Sequence, residues 1–333
     1  LPKKAVPWCS PVRRIITASR SVRTRAADIR NAVRSLVNYP KLCKFQRLVH
    51  TCKPLHFQIW SGRSTNLSHP IMVDFWSSEM KQVLVIVPFP MTEQNRNQRR
   101  EQLNAVTLGP NISFTFESVR VAPRNYVSAS DMVIADIGVL EAGLEAEQRG
   151  FDAICIDTMS DSGVAALRSE LSIPVIGPGR ASMLVAMMLG KRFSIVALWP
   201  HWKHIYDKTL SDLGIEHACT SIRSLDTTPN NQSLLAGKEE DIFPALEALA
   251  LRCIVEDGAE VILLGSTTMH QAHSYLVDVL PVPIINPGPL TYTLAESMLA
   301  VGLSHSRVGY PVSPAPKPGV LHAMLDTATK FDH

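Results

Sequence analysis

No uninterrupted apolar run in the 333 residues approaches the roughly 18 that a bilayer-spanning helix needs, although 46% of the chain is hydrophobic. The chain is therefore expected to be soluble, with a large core divided among more than one domain. The six cysteines, Cys9, Cys43, Cys52, Cys155, Cys219 and Cys253, form no C-x-x-C pair and show no zinc spacing, which excludes a thiolate metal module. Cys155 falls inside a strand pattern and Cys253 in a helical run. Both read as small buried hydrophobes, and a reducing compartment follows. Gly177 and Gly179 form a Gly-x-Gly without the remainder of a dinucleotide fingerprint, which is weak evidence for a nucleotide.

Acids are scarce at one end. Residues 1–79 hold 14 Lys or Arg against three acids (Asp28, Asp74 and Glu79), whereas the remainder holds 19 against 27. Such a break sets a basic extension over residues 1–80 apart from the body. Within it Val22, Ala26, Ile29, Val33 and Leu36 recur at helical spacing between arginines, an amphipathic basic pattern. A mitochondrial-type transit peptide, a nucleic-acid-binding arm and a dispensable disordered extension all fit this composition. No nucleic-acid motif accompanies the charge, and Met72 or Met80 lies just before the first strand pattern. A disordered extension is therefore expected, with no nucleic-acid or membrane partner. The expected location is cytoplasmic, or mitochondrial if the extension is a transit peptide.

What the body does have is a repeat. Gly150-FDAICID-Thr158 and Gly258-AEVILLG-Ser266 lie 108 residues apart, and each leads from a glycine through a short apolar strand to a hydroxyl side chain. Each copy is followed by a proline-flanked apolar turn, IPVIGPG at 173–179 and VPIINPG at 282–288, and preceded by a strand, VLVIVPFP from Val83 and FSIVALWP from Phe193. Strands alternating with helical patterns point to parallel βαβ units, whose strands are buried on both faces and bind ligands at their carboxyl ends. Further strands are expected at 113–121 and near 217–222, with helices near 94–108, 130–149, 180–189, 204–213, 239–257, 271–280 and 290–301. The Pro-rich stretch 311–318 reads as an extended surface segment.

Three blocks in this order, FDAICIDTMSDSG at 151–163, IPVIGPGRASMLVAMMLGKRFSIVA at 173–197 and DGAEVILLGSTTM at 257–269, resemble the aspartate/glutamate/hydantoin racemase superfamily, most closely its hydantoin racemase branch. The resemblance covers about residues 81–325. It implies an α/β fold of two pseudo-symmetric parallel-sheet (Rossmann-like) lobes facing one cleft, here 81–189 with 289–330, and 190–288. It also implies a small-molecule substrate, a carboxylate or cyclic amide, and a homo-oligomer. In that family one cysteine follows each of the two strands, and the pair moves a proton on and off the substrate's α-carbon without cofactor or metal. This chain has Thr158 and Ser266 at those positions.

Racemisation needs groups on both faces of one carbon, and the two strand ends supply that geometry. A thiol ionises near neutrality, but a Ser or Thr hydroxyl needs a neighbour to activate it. Asp157 precedes Thr158 and points to the opposite strand face, which favours a solvated or helix-capping carboxylate. Asp161 reads as a helix cap or a substrate contact, and His270, four residues after Ser266, as a proton carrier or a surface residue near a helix start. His201 and His204 are candidates for the cleft rim. Ser160, Thr267 and Thr268, beside free helix N–H groups, suit an anion or oxyanion. Arg180, where hydantoin racemases usually carry an acid, favours a more anionic substrate if it faces the cleft. The implied activity is a racemase or isomerase acting next to a carboxylate or cyclic amide. An arylmalonate-decarboxylase-like or maleate-isomerase-like reaction, and a non-catalytic binding protein, are the alternatives.

A chain beginning at Met72 should match the full-length form in thermal midpoint, since a disordered arm buries little apolar area. Differential scanning calorimetry of the two checks this, and a loss of several degrees would show that residues 22–36 dock on the body.

Overall fold

The structure, a computed structural model, describes residues 79–226, 242–315 and 318–329. The basic extension, the amphipathic stretch 22–36 and Cys9, Cys43 and Cys52 lie outside the described residues.

The α/β fold of two parallel sheets is borne out. In the first half β1 (Lys81–Val87), β2 (Ile112–Ser118), β3 (Ala153–Ile156) and β4 (Val175–Ile176) form a sheet of order β2-β1-β3-β4. In the second, β5 (Phe193–Ala197), β6 (Cys219–Ser224), β7 (Val261–Leu264) and β8 (Ile284–Ile285) form one of order β6-β5-β7-β8. All pairings are parallel, and Val83 opposite Ala153 is matched in the second sheet by Phe193 opposite Val261. The repeat in the sequence is thus a repeat in strand order.

The helices between the strands are α1 (Glu93–Arg100), α2 (Ala129–Gly143), α3 (Val164–Glu170), α4 (Pro178–Leu189), α5 (Lys203–Leu213), α6 (Phe243–Val255), α7 (His270–Val279) and α8 (Pro287–Ala300). The expected helix over 94–108 is shorter as an α-helix, because the chain tightens into a 3-10 turn at Glu101–Ala105. Helix α2 opens on a reciprocal cap in which the Ser128 side chain accepts the Asp131 N–H and the Asp131 carboxylate accepts the Ser128 N–H, satisfying two otherwise orphaned donors. After the expected irregular segment a further helix, α9 (Pro318–Ala328), follows. Its two buried leucines, Leu321 and Leu325, stand one helical turn apart.

Residues of the inner strands β1, β3, β5 and β7 are buried on both faces, whereas the outer strands β2 and β6 are mostly half-buried. Val83, Val85 and Val87 pack into one cluster and Leu84 and Ile86 into another; Val261 and Leu263 likewise separate from Ile262 and Leu264. This two-sided burial explains why the inner strands are apolar runs and not alternating patterns. One face of each sheet is covered by helices of its own half, α2 and α3 on the first and α6 and α7 on the second.

The other faces are covered by exchange. Helix α4, which the sequence places with the first lobe, sends Met183 and Ala186 into the cluster of Phe193, Ile195, Val261 and Leu263. Helix α8 sends Tyr292 and Ala295 back onto Val83, Val85, Ala153 and Cys155 of the first sheet. The Cys155 thiol donates to the Thr291 carbonyl at 3.5 Å, so α8 sits directly on β3. Helices α4 and α8 also pack on each other. We propose 81–189 with 289–330, and 190–288, as the two lobes, with α4 as the first lobe's contribution to the second lobe's core.

Met183 is fully buried at this junction. Met183→Ala should destabilise the protein by about 2–5 kcal/mol, the range for buried Met truncated to Ala, read from the urea midpoint at unchanged slope.

Candidate active site

Both repeats end in the same local motif. After β3 the Thr158 Oγ1 lies 3.1 Å from Ser160 Oγ and accepts the Ser160 N–H at 3.4 Å. After β7 the Ser266 Oγ lies 2.8 Å from Thr268 Oγ1 and accepts the Thr268 N–H at 3.2 Å. In each case a buried strand releases the chain into a tight turn, and the first hydroxyl folds back over the residue two ahead, as short hydroxyl side chains do at such turns. Thr158, Ser160, Ser266, Thr267 and Thr268 all line one cleft. Its remaining walls are largely apolar, from Phe89, Met91, Met159, Trp202 and Ile205, with two phenols, Tyr126 and Tyr206. Phe89 and Tyr126 stack with ring centres 5.0 Å apart. The phenol hydroxyls are already engaged, Tyr126 donating to the Pro88 carbonyl at 3.1 Å and Tyr206 to the Gly265 carbonyl at 2.6 Å.

Beneath the cleft floor lies a charge pair that the sequence does not announce. Arg99 of α1 donates from Nε to Asp157 Oδ2 at 2.7 Å and from a terminal nitrogen to Thr267 Oγ1 at 2.7 Å. The two charged side chains are 3% and 1% exposed. Thr267 passes its own proton to the Asp157 carbonyl at 3.0 Å, so the hydroxyl bridges the two halves. Gln102 adds a donor to Asp157 Oδ1 at 3.3 Å. Asp157 is therefore neither solvated nor a helix cap. The strand does turn it away from Thr158, and Arg99 meets it there.

Other expected residues are placed differently. Asp161 has φ 53° and does not line the cleft. It caps a helix, but the later one: its carboxylate accepts the N–H groups of Gly179 and Arg180, both at 2.7 Å, at the start of α4. Loss of solvent pushes the Asp161 carboxyl up to about 6, against the opposing pull of those two donors. The same contact explains the Gly-x-Gly. A side chain at Gly177 would collide with the Asp161 carboxylate, and one at Gly179 with the Met159 carbonyl. Arg180 is held through its backbone and is absent from the cleft lining.

His270 opens α7 outside the cleft lining, with its Nδ1 buried and without a partner among the described residues. Burial first, and the nearby Arg99 charge second, push it down to about 4, so the ring is neutral near pH 7. His204 Nδ1 pairs with the His201 carbonyl at 2.8 Å, and Trp202 between them is the residue that reaches the cleft. Among the described residues no three His, Cys, Asp or Glu side chains gather as metal ligands. Burial pushes the Cys155 and Cys219 thiols up to about 12, so neither is a thiolate.

The profile of the Asp/Glu/Hydantoin racemase family matches residues 97–295. Hydantoin racemase of Rhizobium meliloti is 31% identical over 204 residues, covering 60% of this chain and 82% of that protein. Hydantoin racemase of Pseudomonas sp. (strain NS671) is 29% identical over 191 residues, covering 57% and 76%. Among solved structures, allantoin racemase from Klebsiella pneumoniae is 26% identical with a TM-score of 0.65, covering 71% of this chain and 95% of that one.

The raised Asp161 carboxyl has a signed consequence. Between the ordinary carboxylate value near 4 and about 6, the folded state binds more protons than the unfolded one, so unfolding free energy falls as pH rises. Asp161→Asn should abolish this component: from pH 4 to pH 6 the wild type loses stability relative to the variant, as denaturant titrations at each pH would show.

Proposed function

The chain belongs to the Asp/Glu/hydantoin racemase family, and from that membership we propose that it inverts the carbon next to a carbonyl in a hydantoin or similar cyclic amide. The supporting observation is the matched pair of strand ends, Thr158 with Ser160 and Ser266 with Thr268, lining one cleft. Two such groups stand on opposite sides of a bound carbon. One takes its proton while the other returns one to the far face, without cofactor or metal. Thr268 holds the carbonyl oxygen as it gains charge, the stage at which a hydrogen-bond donor contributes most. Thr267 takes no part in this, because its hydroxyl is committed to Arg99 and Asp157.

The electrostatics favour a neutral ring over a free amino acid. Arg99 is the cation among the cleft-lining residues, and Asp157 already neutralises it. Arg180, the other candidate for an anionic substrate, is absent from the lining. A substrate carboxylate would thus enter a largely apolar cleft without a free counter-charge, and desolvating it there is costly. A ring with neutral amides and an apolar substituent fits Phe89, Met91 and Trp202 instead.

In deuterated water the protein should exchange the ring C–H of enantiopure 5-substituted hydantoins and erase their optical rotation faster than buffer, with free amino acids unchanged. Thr158→Ala and Ser266→Ala should each lower the rate about 100-fold or more, the scale of one positioned proton-transfer group. Installing the family's thiols, Thr158→Cys with Ser266→Cys, should raise it. Ligand-induced stabilisation with no exchange on any hydantoin would sink the catalytic reading and leave a binding protein.

A further inference from the structure

A threonine hydroxyl becomes a base only as something takes its own proton, and the first half of the molecule contains a path for that proton. Thr158 Oγ1 lies 3.1 Å from Ser160 Oγ, which lies 2.8 Å from Ser162 Oγ, and in both pairs either oxygen can be the donor. Ser160 and Ser162 are 5% and 1% exposed, so bulk water scarcely competes along the row. Ser162 stands beside the carboxylate of Asp136 on α2, which the next residue's N–H holds in place and whose proton affinity Ser162 lowers. The Asp136 Oδ1 accepts the Gly163 N–H at 2.8 Å. Gly163 has φ 71°, and a side chain there would strike Val139. This glycine lets the loop press against α2 closely enough for Ser162 and the Gly163 N–H to meet one carboxylate. Asp136 itself is exposed, so the row runs from the cleft to solvent.

We propose that Asp136, acting through Ser162 and Ser160, is the proton acceptor and donor that makes Thr158 a working base; this rests on the racemase reading above. As the ring C–H bond breaks, its electron pair stays on the carbon and spreads to the carbonyl oxygen. The proton joins Thr158 Oγ1 while the Thr158 proton moves to Ser160, that of Ser160 to Ser162, and that of Ser162 to the Asp136 carboxylate. Ser266 gives a proton to the far face, and solvent then takes the Asp136 proton and restores that of Ser266. With the opposite enantiomer Thr158 is the donor and the row runs backwards, and nothing is oxidised or reduced.

The setting of Asp136 suits the task. Crowding by neighbouring atoms raises its proton affinity, against the Gly163 N–H, the Lys208 charge on α5 and Ser162. A carboxylate with a raised pKa is a better base at neutral pH. The second half is built otherwise, because the residue two past Thr268 is His270, whose ring is neutral near pH 7. The two faces of the substrate therefore have unlike proton outlets.

Asp136→Asn keeps an oxygen for the Gly163 N–H yet accepts no proton, so it separates proton transfer from loop positioning. On the hydantoin that the unaltered protein turns over fastest, kcat should fall about tenfold or more with KM within about twofold. Ser162→Ala, which cuts the row and leaves Asp136 in place, should show the same split and decides the matter if Asp136→Asn fails to fold. Turnover by both variants at the unaltered rate would overturn the relay and spare the racemase reading, and a loss in Asp136→Asn alone would overturn the serine path. No exchange by the unaltered protein on any hydantoin would overturn the racemase reading and the relay with it.

Discussion

One buried contact set, Arg99 with Asp157 and Thr267, ties the two halves together directly under the cleft. Against an apolar pair of similar volume such an ion pair adds little or no stability, but removing one partner costs about 3–5 kcal/mol because the other is left charged and buried. Its role is therefore better understood as position than as strength. Asp157 immediately precedes Thr158, and Thr267 immediately follows Ser266. Holding those two neighbours to one guanidinium sets where the hydroxyls stand relative to each other. It also consumes the charge that would otherwise recognise an anion.

That arrangement makes the site's difficulty one of acidity and not of shape. The cleft offers hydroxyls, amide donors and aromatic walls, and its ionised groups are already spent on each other. The chain's described thiols, buried at Cys155 and Cys253 and half-buried at Cys219, all have raised proton affinity, and its most suggestive histidine is pushed neutral by burial. Whatever proton affinity the site commands has to be supplied from behind the hydroxyls, along their hydrogen bonds.

The fold was readable because doubly buried parallel strands leave unbroken apolar runs, and because the pattern occurs twice at a spacing of 108 residues. The strand ends follow directly, so Thr158, Ser160, Ser266 and Thr268 were legible as cleft residues. Arg99 was not. It sits in the wholly polar helix EQNRNQRR, which reads as a solvated face, and its partners lie 58 and 168 residues away, beyond any local periodicity. Asp161 reads in the sequence as a cap of the nearby helix or a substrate contact, and it caps a later helix, since its partners lie 18 and 19 residues onward. His270 had the right spacing for a proton carrier, but its burial beside Arg99 is a property of the assembled halves. Asp136 carries no motif, and only the turn at Gly163 brings it to the serine row.

The crossing of α4 and α8 has a consequence for how the molecule folds. Each sheet owes one cover to the opposite half, as in a domain-swapped dimer whose two protomers have been fused into one chain. Neither sheet can complete its core alone, so the halves are bound to form and melt as a single cooperative unit. A hinge that drew the halves apart would lift α4 from the second sheet and α8 from the first, and so expose apolar surface of both cores.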